Sequence, residues 1–320
     1  MHLTIALDWT PNLTHAGIFV AQAKGYYAAE NLIPTLRSPS DDGYRITPAK
    51  RVARRGVELA MAPSESVLSY NAFSDPVPLR AVATLMQVDT SVLATLPDRG
   101  LSRPKQLDGH TYASYGARFE DGIVRAVIQH DGGEGNFEIT RPPKLGIWQA
   151  LREDQCQATW VLTPWRHVAA TEQESGLNTF PLRDFGVPYG YAPVLLTHAL
   201  TLEQNREALQ TFLQATARGY RDLTQDDPTE IARMLDEAVP SGEFKDRALT
   251  EANVRKHRTH FLNESGQWGV MEAGRWEAFV GWLFEQKLVR TMRGDEIAPD
   301  TVDVSSLYTN ELLDNAGIAR

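Results

Sequence analysis

Cysteine is almost missing from this chain. A single thiol, Cys156, in 320 residues excludes an internal disulfide and any metal centre built on several thiolates. Its neighbours Asp154 and Gln155 supply no cation to favour a thiolate, so a buried, inert thiol is expected. A basic surplus is missing too: 32 Lys and Arg stand against 41 Asp and Glu, a formal charge of -9. Neutralising a nucleic-acid backbone or an anionic bilayer needs the opposite balance, which excludes both as partners. No apolar run reaches the roughly eighteen residues of a membrane-spanning helix. The first residues lack the basic segment, apolar core and small-residue site of a secretory leader. The expected address is therefore cytoplasmic on the sequence as given, and periplasmic or lipid-anchored if a leader was removed.

Common catalytic signatures are absent as well. There is no Gly-x-Gly-x-x-Gly, no phosphate-binding loop and no His-Glu-x-x-His. Gly132, Gly133 and Gly135 follow a helical stretch and read as a turn. Ser64-Glu65-Ser66 lacks the glycines that flank a nucleophile elbow. His257 and His260 stand on a charged helix and read as a solvated face rather than as a metal pair. No cofactor and no metal is expected.

What remains is globular: 42% apolar and 23% charged residues, with a length that suits two domains. Strand-like and helix-like stretches alternate. Residues 3–7, 32–36, 57–62 and 79–86 read as strands, with helices over 17–30 and 47–55 and another starting at Ser64. The rhythm repeats with strands over 111–114, 159–162 and 193–196 and helices over 119–130 and 148–152. From there the pattern is almost wholly helical: 202–222, 228–239, 245–261 and 273–286. Such a βαβα order predicts an α/β fold with mainly parallel sheet neighbours and a helical C-terminal extension.

In sheets of this kind ligands sit beyond the carboxyl ends of the strands. Several strand exits here mix aromatic and hydrogen-bonding side chains. Trp9, Asn12 and His15 follow the first strand, and Glu65 follows residues 57–62. Tyr115, Phe119 and Glu120 follow residues 111–114, Trp165 follows 159–162, and Tyr189 and Tyr191 precede 193–196. Aromatic faces can sandwich a flat nitrogen-rich ring, and a carboxylate can accept from its amine. Each residue alone also fits packing, a structural histidine or a helix-dipole partner. The residues by themselves reach only a binder of a small polar aromatic.

The segment Leu7-Asp8-Trp9-Thr10-Pro11-Asn12, followed by His15, Gly17, Val20-Ala21 and Lys24-Gly25-Tyr26, resembles the opening of the thiamine-pyrimidine-precursor family. The likeness continues through Glu58-Leu59-Ala60 with Glu65 and Val67, from Gly116 to Glu120, from Trp160 to Trp165 and from Tyr191 to Thr197. It returns in Trp268-Gly269-Val270-Met271 with Trp276 and Trp282, and in Tyr308-Thr309-Asn310-Glu311. Two branches share these features: formylaminopyrimidine-binding proteins of ABC importers and fungal thiamine pyrimidine synthases. Where the synthases carry a lysine for pyridoxal phosphate and a histidine consumed as substrate, this chain has Ala62 and Ser66. Lys24, Lys50, Lys105 and Lys144 fall in stretches that read as surface. Glu65 and Trp165 match the binder branch.

The resemblance implies the two-lobe type II periplasmic-binding-protein fold. Lobe one would comprise residues 1–87 and 195–320, and lobe two residues 88–194, with the ligand in the cleft between them. It implies a monomer that binds a formylaminopyrimidine or hydroxymethylpyrimidine type of ligand, for ABC uptake through a permease or for salvage. A synthase-like cytoplasmic enzyme, or a binder of another small nitrogen or sulfur compound, is the alternative. Glu65, Trp9 and Trp165 would grip the ring. Asn12, Tyr115, Glu120 and Tyr191 would orient it, with His15, Phe119 and Tyr189 as further ligand-binding candidates.

Overall fold

A computed structural model describes residues 1–73, 75–291 and 293–313. The chain divides into two units. The first holds Met1–Asp89, Tyr191–Ala273 and the described residues from 302 on; the second holds Thr90–Gly190 and Gly274–Thr301. The reading from sequence puts 274–301 in lobe one, and its last residues, 314–320, lie outside the described ones. The second unit claims this segment by packing: the Phe279 ring lies 4.7 Å from that of Tyr189, and Leu288 covers Gly122.

With elements numbered in chain order, the first unit contains strands β1 (His2–Ala6), β2 (Ile33–Arg37), β3 (Leu59–Ala62), β4 (Leu79–Thr84) and β10 (Val194–His198). They form one sheet in the order β2-β1-β3-β10-β4. Helices α1 (Ala16–Ala23), α2 (Tyr26–Ala29), α3 (Pro48–Ala53) and α4 (Ser64–Asn71) follow its strands, and α8 (Ala199–Gln204) to α11 (Arg247–His257) come after β10. The stretch 17–30 is two helices, not one. Gly25 takes φ 73° between them, a left-handed turn that glycine enters without steric cost. Ser64 does not cap α4: it is the first helical residue. Its Oγ instead accepts from the Tyr191 N–H at 3.0 Å.

In the second unit β5 (Ser91–Thr95), β6 (Thr111–Ala113), β7 (Glu138–Thr140), β8 (Ala158–Leu162) and β9 (Asn178–Pro181) pair in the order β7-β6-β8-β5-β9. Helices α5 (Glu120–His130), α6 (Ile147–Arg152), α7 (Arg166–Glu174) and α12 (Ala273–Glu285) complete it. The sheets are mixed rather than mainly parallel. In each, one strand, β10 or β5, runs antiparallel to both neighbours. Both of these strands begin just after the chain passes from one unit to the other. They therefore do not enter by the helical crossover that enforces parallel pairing. No described helix is long and apolar enough to cross a membrane.

The helical extension is held by an unusually close approach. A Cβ on Gly219, within α9 (Arg206–Gln225), would lie 2.0 Å from the Gly17 carbonyl oxygen, and one on Gly17 would lie 2.2 Å from the Tyr220 ring. Beside this contact Tyr220 stacks on Trp268 at 4.8 Å and 9°, and Tyr27 stacks on Phe212 at 5.4 Å and 8°. In an exposed helix Gly→Ala stabilises by about 1 kcal/mol. Here Gly219→Ala is expected to destabilise by about 3 kcal/mol or more through overpacking. A urea unfolding midpoint equal to or above that of the parent would refute the contact.

Candidate functional site

Strand pairing gathers the first unit's candidates at one end of its sheet. β1 and β3 are parallel with Ala6 opposite Ala60, so the segments after them, Asp8–His15 and Pro63–Glu65, leave side by side. β10 runs the other way with Val194 opposite Ala62, which brings Tyr191 to the same end. There the Ser64 N–H donates to the Tyr191 carbonyl at 2.8 Å. The Tyr191 hydroxyl accepts from the Glu272 N–H at 2.9 Å.

Each side chain at this end has a definable task. Asn12 caps the short 3-10 turn of Leu13–His15: its Oδ1 accepts from the Thr14 N–H at 2.9 Å, and its Nδ2 donates to the Thr10 carbonyl. His15 is fully buried, and its Nε2 lies 2.7 Å from Asp8 Oδ1. Nδ1 has no hydrogen-bond partner among the described residues. A buried ring nitrogen of this kind is usually completed by a water or a ligand group. Trp9 is 8% exposed and pairs with Tyr44, ring centroids 6.0 Å apart. Glu65, 5% exposed, occupies the first turn of α4, where the helix dipole favours its charge.

The second unit repeats the arrangement. β6 and β8 are parallel, with Tyr112 opposite Ala158, so the Tyr115–Glu120 and Trp165 segments leave from the same end. Glu120 is committed to the loop it follows. Oε1 accepts from the Tyr112 hydroxyl at 2.7 Å and the Tyr115 N–H at 2.9 Å, and Oε2 from the Ala117 N–H at 3.0 Å. Burial raises its pKa, partly offset by these three donors. Phe119 is buried at the start of α5, with the Arg118 guanidinium 5.3 Å over its ring. Tyr189 is enclosed by Trp160 and Phe279. Tyr115 and Trp165 are half-buried.

Three residues escape the reading from sequence. Asp8 organises His15, and only its spacing from that histidine hinted at this. Tyr44 comes from a polar turn with no periodic signal. Lys144 reads as surface but is half-buried; burial lowers its pKa, with the Glu120 charge acting the other way. Lys24 is held by Asp222 and Asp226 at 2.7 and 2.6 Å. His257 is buried, not on a solvated face, and its Nδ1 lies 3.1 Å from the Asn253 carbonyl oxygen. Cys156 is buried, which pushes its thiol up to about 11. No cluster of His, Cys, Asp or Glu among the described residues is arranged to hold a metal.

The NMT1/THI5-like family profile matches residues 12–231. The chain belongs to that family. It is 23% identical to the formylaminopyrimidine-binding protein of Halalkalibacterium halodurans, over 87% of this chain and 83% of that protein. It is 25% identical to the riboflavin-binding protein RibY of Chloroflexus aurantiacus, over 97% of this chain and 86% of that one. Among solved structures it resembles the alkanesulfonate-binding protein SsuA of Xanthomonas axonopodis pv. citri bound to MOPS, with a TM-score of 0.70 at 13% identity, covering 96% and 98% of the two chains. The fold is that of the periplasmic binding proteins.

The role of Glu120 can be tested through its titration. A carboxyl whose folded pKa is raised contributes stability that is full below the unfolded value and is lost as pH rises through the folded one. Glu120→Gln is expected to flatten the stability profile from the ordinary glutamate range upward. Glu120→Ala leaves three donors without their acceptor and should cost about 2 kcal/mol or more. Urea melts of both variants from pH 4 to 7, values chosen to span roughly the glutamate range, test this. A slope in Glu120→Gln matching the parent's would refute it.

Proposed function

We propose that this protein binds a flat, nitrogen-rich heteroaromatic ligand, first of all an aminopyrimidine of the formylaminopyrimidine or hydroxymethylpyrimidine type. One observation carries the reading: a buried carboxylate, Glu65, and a large aromatic, Trp9, leave adjacent parallel strands at the same end of one sheet. A carboxylate held in a helix's first turn accepts strongly from an exocyclic amine or protonated ring nitrogen, and it disfavours anionic ligands such as sulfonates. Asn12, His15 and Tyr191 shape the same end of the first unit's sheet in this reading. Ala62 and Ser66, in place of the synthase branch's lysine and histidine, favour binding over synthesis. An importer role pairs the protein with an ABC permease outside the cytoplasmic membrane; a salvage role places it inside.

The match to a riboflavin-binding protein over 97% of this chain favours a second reading, an isoalloxazine ligand whose ring N–H Glu65 would accept. Native mass spectrometry of protein taken from cells should reveal a co-purified molecule with the mass of one of these rings. Titration calorimetry with formylaminopyrimidine and with riboflavin then tests the site. Glu65→Ala is expected to weaken the parent's preferred ligand by about 1.4–2.8 kcal/mol, roughly ten- to hundredfold, with the unfolding midpoint recorded to separate binding from folding. Equal affinity in parent and variant would remove Glu65 from the site.

The enzyme alternative makes an opposite forecast. Lys144 is the lysine to watch, because burial lowers its pKa and a neutral amine is what forms an imine. We expect pyridoxal phosphate followed by borohydride to label no lysine stoichiometrically, as read by peptide mass. A single trapped lysine, with loss of one histidine on turnover, would support a synthase.

A further inference from the structure

Tyr44 holds a backbone conformation that bulky residues rarely adopt. Its φ is 61°, directly after Gly43 at 64°. A large side chain in the left-handed region is strained and persists where its surroundings over-determine it, most often at functional sites. Here the surroundings do so. The phenol O–H donates to the Asp8 carbonyl at 2.7 Å. The ring lies against Trp9, tilted by 53°. The preceding turn, Pro39–Asp42, is tied back to α3 by Asp42 and Arg51 at 2.5 Å. Burial, with the Asp8 charge adding to it, holds the phenol far above its usual pKa, so the donor is present at every working pH.

The partner of this donor is the residue whose side chain orients His15. Asp8 therefore carries two restraints: its carboxylate fixes His15, and its carbonyl is fixed by Tyr44. Trp9 follows immediately, beyond the end of β1, where no strand ladder steadies it. The tilt between the rings also keeps Tyr44 from lying flat on the indole. We propose that Tyr44 is a positioning residue that presets Trp9 for an aromatic ligand: its hydroxyl clamps the Asp8–Trp9 peptide and its ring buttresses the indole. This rests on the reading of Trp9 as a ligand-facing ring. A side chain ordered beforehand loses less freedom on binding, so the clamp should act on affinity beyond whatever it contributes to folding.

The test uses the full chain and four proteins: parent, Tyr44→Phe, Trp9→Leu and the double variant. Without ligand, hydrogen–deuterium exchange should quicken in Tyr44→Phe for peptides covering residues 7–15 and not for peptides of the sheet core, which a general loss of stability would quicken as well. With formylaminopyrimidine and riboflavin as calorimetric probes, Tyr44→Phe should lose about five- to tenfold in affinity for whichever one the parent binds. In the Trp9→Leu background that loss should vanish, because the clamp acts through the indole. Unchanged exchange overturns the clamp whether or not either probe binds. A loss of affinity that persists in full without Trp9 overturns its action through the indole. If the parent binds neither probe, the ligand reading fails separately, and the exchange data alone decide the clamp.

Discussion

Backbone pairing across β1, β3 and β10 governs the rest of the first unit. Ala6 stands opposite Ala60, and Ala62 opposite Val194, so β1 and β3 finish and β10 begins at the same end of the sheet. Side-chain alternation along a strand has a period of two, and a slip by one residue would send every side chain to the opposite face of the sheet, into packing it does not fit. The register is therefore protected by the core it serves: Leu3, Ile5, Leu59 and Leu195 are all buried. The exits inherit that precision. Ser64 adds a local lock, donating through its N–H and accepting through its Oγ to the two backbone groups of Tyr191.

Three carboxylates near the strand ends are put to different uses by their surroundings. Asp8 holds the ring of a buried histidine. Glu120 gathers a hydroxyl and two backbone N–H groups and so shapes the loop before α5. Glu65 rests in the first turn of a helix, where the dipole supports an ionised acceptor. A buried carboxylate is costly unless its charge is met. That cost explains why each stands beside donors or a helix terminus.

The relatives bind chemically different molecules by their names, formylaminopyrimidine and riboflavin, and a structural neighbour was solved with a sulfonic-acid buffer. One fold thus serves proteins named for different ligands, because specificity lives in side chains carried on a shared frame. Aromatic walls suit any flat ring. In any such site the sign and placement of the polar groups decide which ring is accepted.

The alternation of strands and helices, the α/β class and the family were legible in the sequence, because periodicity and short motifs are local properties. Trp9, Asn12, His15 and Glu65 were legible as candidates for the same reason: each directly follows a recognisable strand. The sequence alone did not reveal the antiparallel strands β5 and β10, the assignment of 274–301 to the second unit, or the burial of Lys144 and His257. Those depend on contacts between residues far apart in the chain, such as Phe279 with Tyr189. Asp8 and Tyr44 are the sharpest case. They are far apart in sequence, and Tyr44 comes from a polar turn without pattern. Only the folded chain brings its hydroxyl onto the Asp8 carbonyl, because a hydrogen bond is decided by position in space and leaves no trace in sequence spacing.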